Sequence, residues 1–339
     1  MDAGERSALL ALGRLAEAYE ASPFALAWEA RERAGAAARL AAADGLGFDP
    51  DRVFRLAHDL PVRRELGDLG DAAVTQILGL LALPLAAEGE GEESRDPWRS
   101  ELAIAEGTFR DEGHPLDLTT LLRALHRWLA EGGRPSVGYL ALIRELARRG
   151  VTPAPLSALI RPAGLVRASP ATWTERAVTS LADAAVGGRH DLIALRQTIE
   201  GWRQRLGKRR RQSRLDALVV DLAGMPVTTP STVARRLGLS VRGASVMLEE
   251  LARLGIVSEI TGRQSWKTYV AATGGAAQDR SRMPGPRQPP QQQPDLSPLL
   301  SDADEAILRV RAAVDRARER IDRDRRALSS AIDEEPEDA

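Results

Sequence analysis

The sequence predicts a mainly α fold: a multi-helix N-terminal region, a compact module of helices and a hairpin, and a charged C-terminal helix after a disordered linker. Two observations lead to this prediction. Hydrophobic residues make up 43% of the 339 residues but aromatic residues only 4%, a composition that favours helices over sheets. Apolar residues also recur every three or four positions along most of the chain, which is the period of one helix face.

Two helical regions, 1–86 and 98–206, are predicted on either side of an acidic, glycine-containing seam at 87–94. Their helices are bounded by Gly and Pro, which interrupt the helical period. The predicted helices cover Glu5 to Tyr19, Pro23 to Ala43, Asp51 to His58, Gly70 to Leu83, Trp98 to Phe109, Leu118 to Ala130, Ser136 to Arg149, Pro155 to Ile160 and Ala171 to Val186.

Another helix is predicted after Gly187-Gly188, a pair that is expected to close the helix before it. Its apolar stripe consists of Leu192, Leu195, Ile199, Trp202 and Leu206. Acidic and basic residues alternate along many of these helices, as in Arg31-Glu32-Arg33, and this pattern predicts solvated ion pairs. The six tryptophans are expected to anchor the core.

The segment 208–272 has the local signals of short helices separated by turns. Arg214 to Ala223 carries one apolar face and stops before Gly224. Thr229 is a suitable N-cap for a second helix, Pro230 to Leu237, because Pro at the first helical position loses no hydrogen bond.

A tight turn at Gly238 leads into a third helix, which Ser240 caps and which runs to about Leu254. Its predicted buried stripe is Val241, Ala244, Leu248 and Leu251. Two strands, Ile256 to Ile260 and Trp266 to Val270, follow on either side of a turn. This order of elements is that of a winged helix-turn-helix, a module that inserts one helix into the major groove of DNA.

Candidate DNA contacts lie on the side of helix 240–254 that the predicted core does not use. Arg242 is close to the helix N-terminus and is the best candidate for a bidentate contact to guanine. Thr229 and Ser231 lie at a helix N-terminus, where free N–H groups favour a phosphate. The complete predicted DNA-binding set is Lys208, Arg209, Arg210, Arg211, Thr229, Ser231, Ser240, Arg242, Gly243, Ser245, Val246, Arg263, Gln264 and Lys267.

The charge of this segment supports a polyanionic partner. Residues 201–272 contain 13 Lys and Arg against 5 Asp and Glu, a balance of +8, whereas the whole chain carries −1. Seven of these cations fall between Arg203 and Arg214. A basic patch of this density is typical of nucleic-acid binding. The alternative is a solvated charged helix end, and Glu249 and Glu250 would repel phosphates if they faced them.

A resemblance rests on Arg210 to Leu215, Ala234 to Ser240, and Glu259 to Arg263 with Trp266 and Tyr269. On these residues, segment 208–271 resembles the C-terminal helix-turn-helix of an uncharacterised family of bacterial proteins often found on plasmids, especially in rhizobia. It is also similar to the winged helix that follows the catalytic domain of many Fic-type AMP-transferases. The resemblance implies DNA binding and no known enzymatic activity.

The residues do not support an enzyme. A Fic active site needs a His-Pro-Phe opening and a Gly-Asn-Gly-Arg turn, but His114-Pro115 here is followed by Leu-Asp-Leu-Thr-Thr. Without that turn, the chain lacks the backbone N–H groups that would bind the phosphates of ATP. The four histidines show no metal-ligand spacing, so no metal or other cofactor is expected. A deep pocket with convergent ionisable groups in 1–200 would favour an enzyme instead.

The C-terminal segment has two parts. Residues 273–300 are rich in Pro and Gln and predict a disordered linker. Residues 301–332 predict one charged helix, either a short coiled coil that pairs two copies or a single helix with Arg–Asp pairs. A homodimer through 301–332 would present two helix-turn-helix modules to one DNA with two half-sites.

The predicted function is sequence-dependent binding of double-stranded DNA by a transcriptional or plasmid-maintenance regulator. The alternative is a scaffold protein whose winged helix binds a protein partner. The absence of cysteine, of a long apolar run and of a signal peptide favours a cytoplasmic location with no membrane partner. The sequence identifies no small-molecule effector.

Overall fold

A computed structural model of the chain describes residues 3–46, 50–57, 69–85, 96–110, 117–162, 170–207, 214–261 and 267–272. Within these ranges the protein is mainly helical, as predicted, with one small three-stranded sheet. The helices are α1 (Ala3–Glu20), α2 (Ala25–Ala43), α3 (Pro50–Ala57), α4 (Leu69–Leu81), α5 (Pro97–Arg110), α6 (Leu118–Ala130), α7 (Pro135–Arg148), α8 (Pro170–Leu206), α9 (Arg214–Gly224), α10 (Pro230–Leu237) and α11 (Val241–Arg253). The strands are β1 (Val227–Thr228), β2 (Val257–Glu259) and β3 (Tyr269–Ala271).

Several predictions concern residues outside the described ranges. These are the acidic seam at 87–94, residues 262–263 of the turn between the two predicted strands, the linker at 273–300 and the charged helix at 301–332. The described elements share one hydrophobic core, which includes buried residues of α1 as well as of β3. Trp28, Trp173 and Trp202 are buried in that core, as predicted, whereas Trp98 and Trp128 are only half-buried against it and Trp266 lies outside the described residues.

The prediction that a helix ends at Gly187-Gly188 is wrong. α8 continues through both glycines and is 37 residues long. A Cβ built on Gly188 would lie 3.1 Å from the Ala158 Cβ, 3.3 Å from Trp28 and 3.6 Å from Leu15. Because α1 packs along α8 at this point, the glycine permits close approach of neighbouring elements and does not break the helix.

The helix predicted for Pro155 to Ile160 is also wrong, since only a 3-10 helix over Ser157–Leu159 forms. Side chains of α2 bind its backbone. The Glu29 carboxylate accepts hydrogen bonds from the Ser157 N–H at 3.3 Å and from the Ser157 hydroxyl at 2.5 Å. Arg39 donates to the Ile160 carbonyl at 2.7 Å. These long-range bonds replace those that an α-helix would make internally.

The prediction that the ion pairs are solvated is wrong for one cluster between α5 and α7. Arg144 donates from Nε to Glu106 at 2.5 Å, and both side chains are buried. The Arg144 guanidinium also donates to the Leu83 carbonyl at 3.0 Å, just after the end of α4. Buried charges persist only when they are paired and hydrogen-bonded, and here the pairing connects three helices.

Residues 214–261 and 267–272, called here the C-terminal module, contain α9, α10, α11 and the sheet. The strands are antiparallel in the order β1-β3-β2, with Val227 opposite Val270 and Ser258 opposite Val270 on the other side. The three helices have the predicted positions. β1 was not predicted, and β3 begins at Tyr269, later than expected. Just before it, the Thr268 N–H donates to the Thr261 hydroxyl at 3.0 Å.

The C-terminal module packs firmly on the N-terminal helices through α9, which contacts α2 and α8. A Cβ on Gly224 would lie 2.8 Å from the Ala27 carbonyl oxygen, so only glycine permits this approach of two backbones. The Arg203 guanidinium forms a bidentate pair with Asp216 at 2.7 and 2.8 Å and lies 4.9 Å from the Phe24 ring centroid. The module is therefore held against the helical region.

Candidate nucleic-acid interface

The second helix of the C-terminal module, α10, begins at the residue that the sequence predicts. The Thr229 hydroxyl accepts the Thr232 N–H at 3.2 Å and lies 2.9 Å from the Ser231 hydroxyl. Gly238 ends the helix in the left-handed conformation, with φ 60°, which β-carbon-bearing residues rarely adopt. Thr229 and Ser231 thus lie together at one helix N-terminus, and Ser231 is exposed.

The third helix, α11, is capped by Ser240, whose hydroxyl accepts the Gly243 N–H at 3.1 Å. Its buried side consists of Ala244, Leu248 and Leu251, which are completely shielded from solvent. The prediction that Val241 belongs to this stripe is wrong, because 55% of its surface is exposed. Val241 is the first residue of the helix, and its side chain lies at the edge of the buried stripe.

The outer face of α11 is defined here as Val241, Arg242, Ser245, Val246 and Glu249. Arg242, Val246 and Glu249 are exposed, and Ser245 is half-buried. Among the residues that the structure describes, none forms a hydrogen bond or an ion pair with Arg242. Gly243 is half-buried beside the Ser240 hydroxyl, which would lie 3.2 Å from an added Cβ. The helix therefore presents a guanidinium flanked by two valines.

The Lys267 side chain is paired within the module, although the sequence places this residue beside the hairpin turn. Its ammonium donates to Glu249 at 3.0 Å and lies 3.8 Å from Glu259. The hydrogen bond to Glu249 raises the pKa of Lys267, so the ammonium stays charged at neutral pH. This pair is not evident from the sequence. It partly neutralises the Glu249 carboxylate on the outer face of α11.

Three arginines of the predicted basic run form contacts within the fold. Arg203 binds Asp216, and Arg205 donates to the Gly255 carbonyl at 3.1 Å. Arg214 donates to the carbonyls of Leu237 and Gly238 at 2.9 and 3.2 Å, where α10 ends. No local pattern marks these contacts, because each joins residues far apart in the sequence. The predicted contacts Lys208, Arg209, Arg210, Arg211, Arg263 and Gln264 lie outside the described residues.

The α10 surface carries two further arginines that the sequence analysis did not select. Arg235 is exposed in the last turn. Arg236 pairs with Asp221 on α9 at 3.4 Å. Burial raises the pKa of Asp221, and the nearby Arg236 opposes that effect. A basic side chain of this module therefore indicates a ligand contact only after its contacts within the fold have been identified.

In the described ranges, no group of three or more His, Cys, Asp and Glu side chains is placed to hold a metal ion. A groove of about 260 Å³ between α1 and α8 has no carboxylate among its lining residues, which are Ser7, Leu10, Ala11, Arg14, Val186, Arg189 and His190. No helix in these ranges combines the length and apolar character needed to span a bilayer.

Comparison with known proteins adds no assignment for this surface. No family model matches the chain, and no curated protein matches it.

Proposed function

We propose that the chain is a sequence-dependent DNA-binding protein that reads the major groove of double-stranded DNA with helix 240–254. The proposed role is non-catalytic, as a transcriptional or plasmid-maintenance regulator in the cytoplasm. The observation that carries the proposal is Arg242, an exposed guanidinium in the first turn of a capped surface helix. Arginine at this position of a helix can reach guanine O6 and N7 together.

The order of elements around Arg242 supports the same interpretation. α10 and α11 are joined by a turn at Gly238, and β2 and β3 pair immediately after α11. We interpret residues 208–272 as a winged helix-turn-helix, in which α11 would enter the groove. The N-terminus of α10, with Thr229 and exposed Ser231, would then lie against a phosphate. The resemblance of 208–271 to the helix-turn-helix of plasmid-borne proteins points in the same direction.

The charge distribution is also compatible with DNA. Residues 201–272 carry a balance of +8, although the chain as a whole is close to neutral. Arg203, Arg205 and Arg214 serve internal contacts, so phosphate binding would depend mainly on 208–211. Lys267 pairs with Glu249 and reduces the repulsion that this carboxylate would exert on a phosphate.

A second candidate function is binding of a protein partner by the same outer face of α11. The observation that favours it is the exposure of Val241 and Val246, at 55% and 57%. Exposed apolar side chains on one helix face also occur in protein interfaces. Salt dependence separates the two functions, because release of counterions from DNA makes protein–DNA affinity fall steeply with salt.

The experiment is a salt series of binding to random-sequence duplex DNA by the full chain. Binding with six to ten phosphate contacts should weaken by about three to five decades between 50 and 200 mM salt. Changing Arg209, Arg210 and Arg211 together to Ala should reduce the slope of log affinity against log salt by about three. Arg242→Ala should leave that slope nearly intact, since a contact to a base releases few counterions.

A matched control is Arg196→Ala on α8, an exposed arginine that pairs with Glu200 at 2.8 Å. This change should alter neither affinity nor slope. If the wild-type chain does not bind duplex DNA at 50 mM salt, the DNA proposal fails and a protein partner becomes the better hypothesis. A slope that the triple substitution leaves unchanged would also count against the proposed role of the basic run.

A further inference from the structure

Two exposed valines lie beside Arg242 on the outer face of α11. Val241 and Val246 expose 55% and 57% of their surface, while Ala244, Leu248 and Leu251 on the opposite side are completely buried. Burial of apolar side chains is favourable, and a surface helix ordinarily places charged or polar residues outward. The two valines therefore lie outside the core and are accessible to a ligand on the side of α11 that carries Arg242.

The helical geometry groups these residues on one surface. At about 100° per residue, the outer face spans an arc of about 140° in the order Val241, Ser245, Glu249, Arg242 and Val246. Arg242 lies about 40° from Val246 in this projection and is adjacent to Val241 in the chain. The buried residues occupy a separate arc, in agreement with their exposures. An object that covers the whole outer face would thus meet Arg242 and both valines.

The major groove offers one apolar group at the edges of its base pairs, the C5 methyl of thymine. Guanine presents two acceptors, O6 and N7, which can accept two hydrogen bonds from one arginine guanidinium. Valine is suited to the methyl because its branched side chain is stiff and loses little entropy on contact. We propose that Val241 and Val246 bind thymine methyl groups beside a guanine that Arg242 binds. The inference rests on the proposed function and specifies the bases that α11 selects.

The charges near the valines favour DNA as the occupant. The basic balance of residues 201–272 is complementary to a polyanion. Lys267 partly neutralises Glu249 on the outer face, and Glu250, the next residue in the chain, is half-buried. The Ser245 hydroxyl lies between Val241 and Glu249 in the helical projection and offers a donor or acceptor to a neighbouring base edge. An apolar protein surface would leave Arg242 without an acceptor, which is costly for a desolvated charge.

The test uses thymine and uracil, which differ in the major groove only by the methyl group. A pool of duplexes is selected from a random library by the full-length wild-type chain and then amplified with either thymidine or deoxyuridine triphosphate. Loss of one buried methyl contact weakens binding by about fourfold. The wild type makes two such contacts and should therefore bind the uracil pool about fifteenfold more weakly than the thymine pool.

The double variant Val241→Ala, Val246→Ala should lose most of this preference, with a thymine-to-uracil ratio near one. Leu10→Ala, at an α1 position that is also 57% exposed, is the matched control and should keep the wild-type ratio. All three positions are on the surface, so the variants should fold.

The outcomes separate the inference from the proposed function. Equal wild-type affinity for the two pools would overturn the methyl contacts and leave DNA binding intact. A preference for thymine that survives in the double variant would overturn the assignment to Val241 and Val246. If the wild type enriches no sequences and binds no duplex, the proposed function fails and this inference with it, and the valines then belong to a protein interface.

Discussion

Two helices of nearly equal length, α7 and α11, use their charged residues in opposite ways. α7 is surrounded by α2, α4, α5 and α6, and even its charged residues Arg144 and Glu145 are only 4% and 3% exposed. α11 packs on one side only and leaves Arg242 exposed, without a described partner. A charged side chain contributes to stability when other elements surround its helix. It remains accessible to a ligand when its helix packs on one side only.

The largest expected effect on the free energy of unfolding is that of Arg144→Ala. The change removes the ion pair with Glu106 and the bond to the Leu83 carbonyl, and it leaves polar groups buried. The free energy of unfolding should fall by about 4 kcal/mol, as for other buried pairs that lose one partner. Denaturant unfolding of this variant and of Arg196→Ala, an exposed control, measures the difference. A loss below about 1 kcal/mol would show that the buried pair does not hold these helices together.

A second prediction compares the two sides of α11. Leu248→Ala removes a fully buried side chain and should lower the free energy of unfolding by about 3 kcal/mol. Val246→Ala alters the outer face of the same helix and should change it by less than about 0.5 kcal/mol. Both values come from denaturant titration at one pH. Similar losses for the two variants would mean that the outer face is packed in solution and unavailable to DNA.

The third prediction concerns Glu29, a buried charge of the helical region. Burial raises the pKa of Glu29 to about 7, while hydrogen bonds from Ser157 oppose that rise. Because folded Glu29 holds a proton that the unfolded chain releases near the ordinary pKa of 4.5, the stability that this group contributes is highest at low pH and is lost as pH rises to about 7. Between pH 5 and pH 7 this group alone should lower the free energy of unfolding by about 2 kcal/mol.

The control for this effect is Glu29→Gln, which keeps an acceptor for the Ser157 N–H but cannot titrate. Free energies of unfolding at pH 5 and pH 7 are measured for both proteins, so that contributions from other titrating groups cancel. The wild type should lose about 2 kcal/mol more than the variant over this interval. Identical pH dependences would mean that Glu29 is accessible to water in solution.

The smallest expected effect concerns the ion pair on the outer face of α11. Lys267→Ala leaves Glu249 without its 3.0 Å partner, so the carboxylate should repel nearby phosphates. Affinity for duplex DNA should fall by about two- to fivefold, in keeping with an exposed pair. Adding Glu249→Gln to this variant should restore most of the affinity. If the second change gives no recovery, Lys267 itself contacts the phosphate and its pairing with Glu249 is secondary.

Local signals predicted the C-terminal module well. Thr229, Gly238 and Ser240 have the capping roles expected of them, because a cap depends on residues within four positions in the chain. β1 was missed since it has only two residues and exists through pairing with Tyr269 and Val270, some 40 positions away. Val241 was assigned to the core from spacing alone, although the first turn of a helix is often uncovered.

The helical region was harder to predict in detail for a similar reason. Gly188 was interpreted as a helix end, but it lies in the interior of α8 where Ala158 and Trp28 approach. Glu29 and Arg144 have ordinary sequence contexts, and only long-range packing makes them buried. For the candidate interface, the sequence identified Arg242 but not the internal partners of Arg203, Arg205, Arg214 and Lys267, all of which are distant in the chain.

The most direct test of the central claim, that the outer face of α11 binds DNA, uses the absence of cysteine from the chain. Val246→Cys and Leu10→Cys each introduce a single thiol at a position that is 57% exposed in the wild type. The rate of thiol modification is measured with and without saturating duplex DNA at low salt. The account predicts that DNA slows modification at position 246 by at least about tenfold and leaves position 10 unchanged. Equal rates at position 246 with and without bound DNA would contradict it.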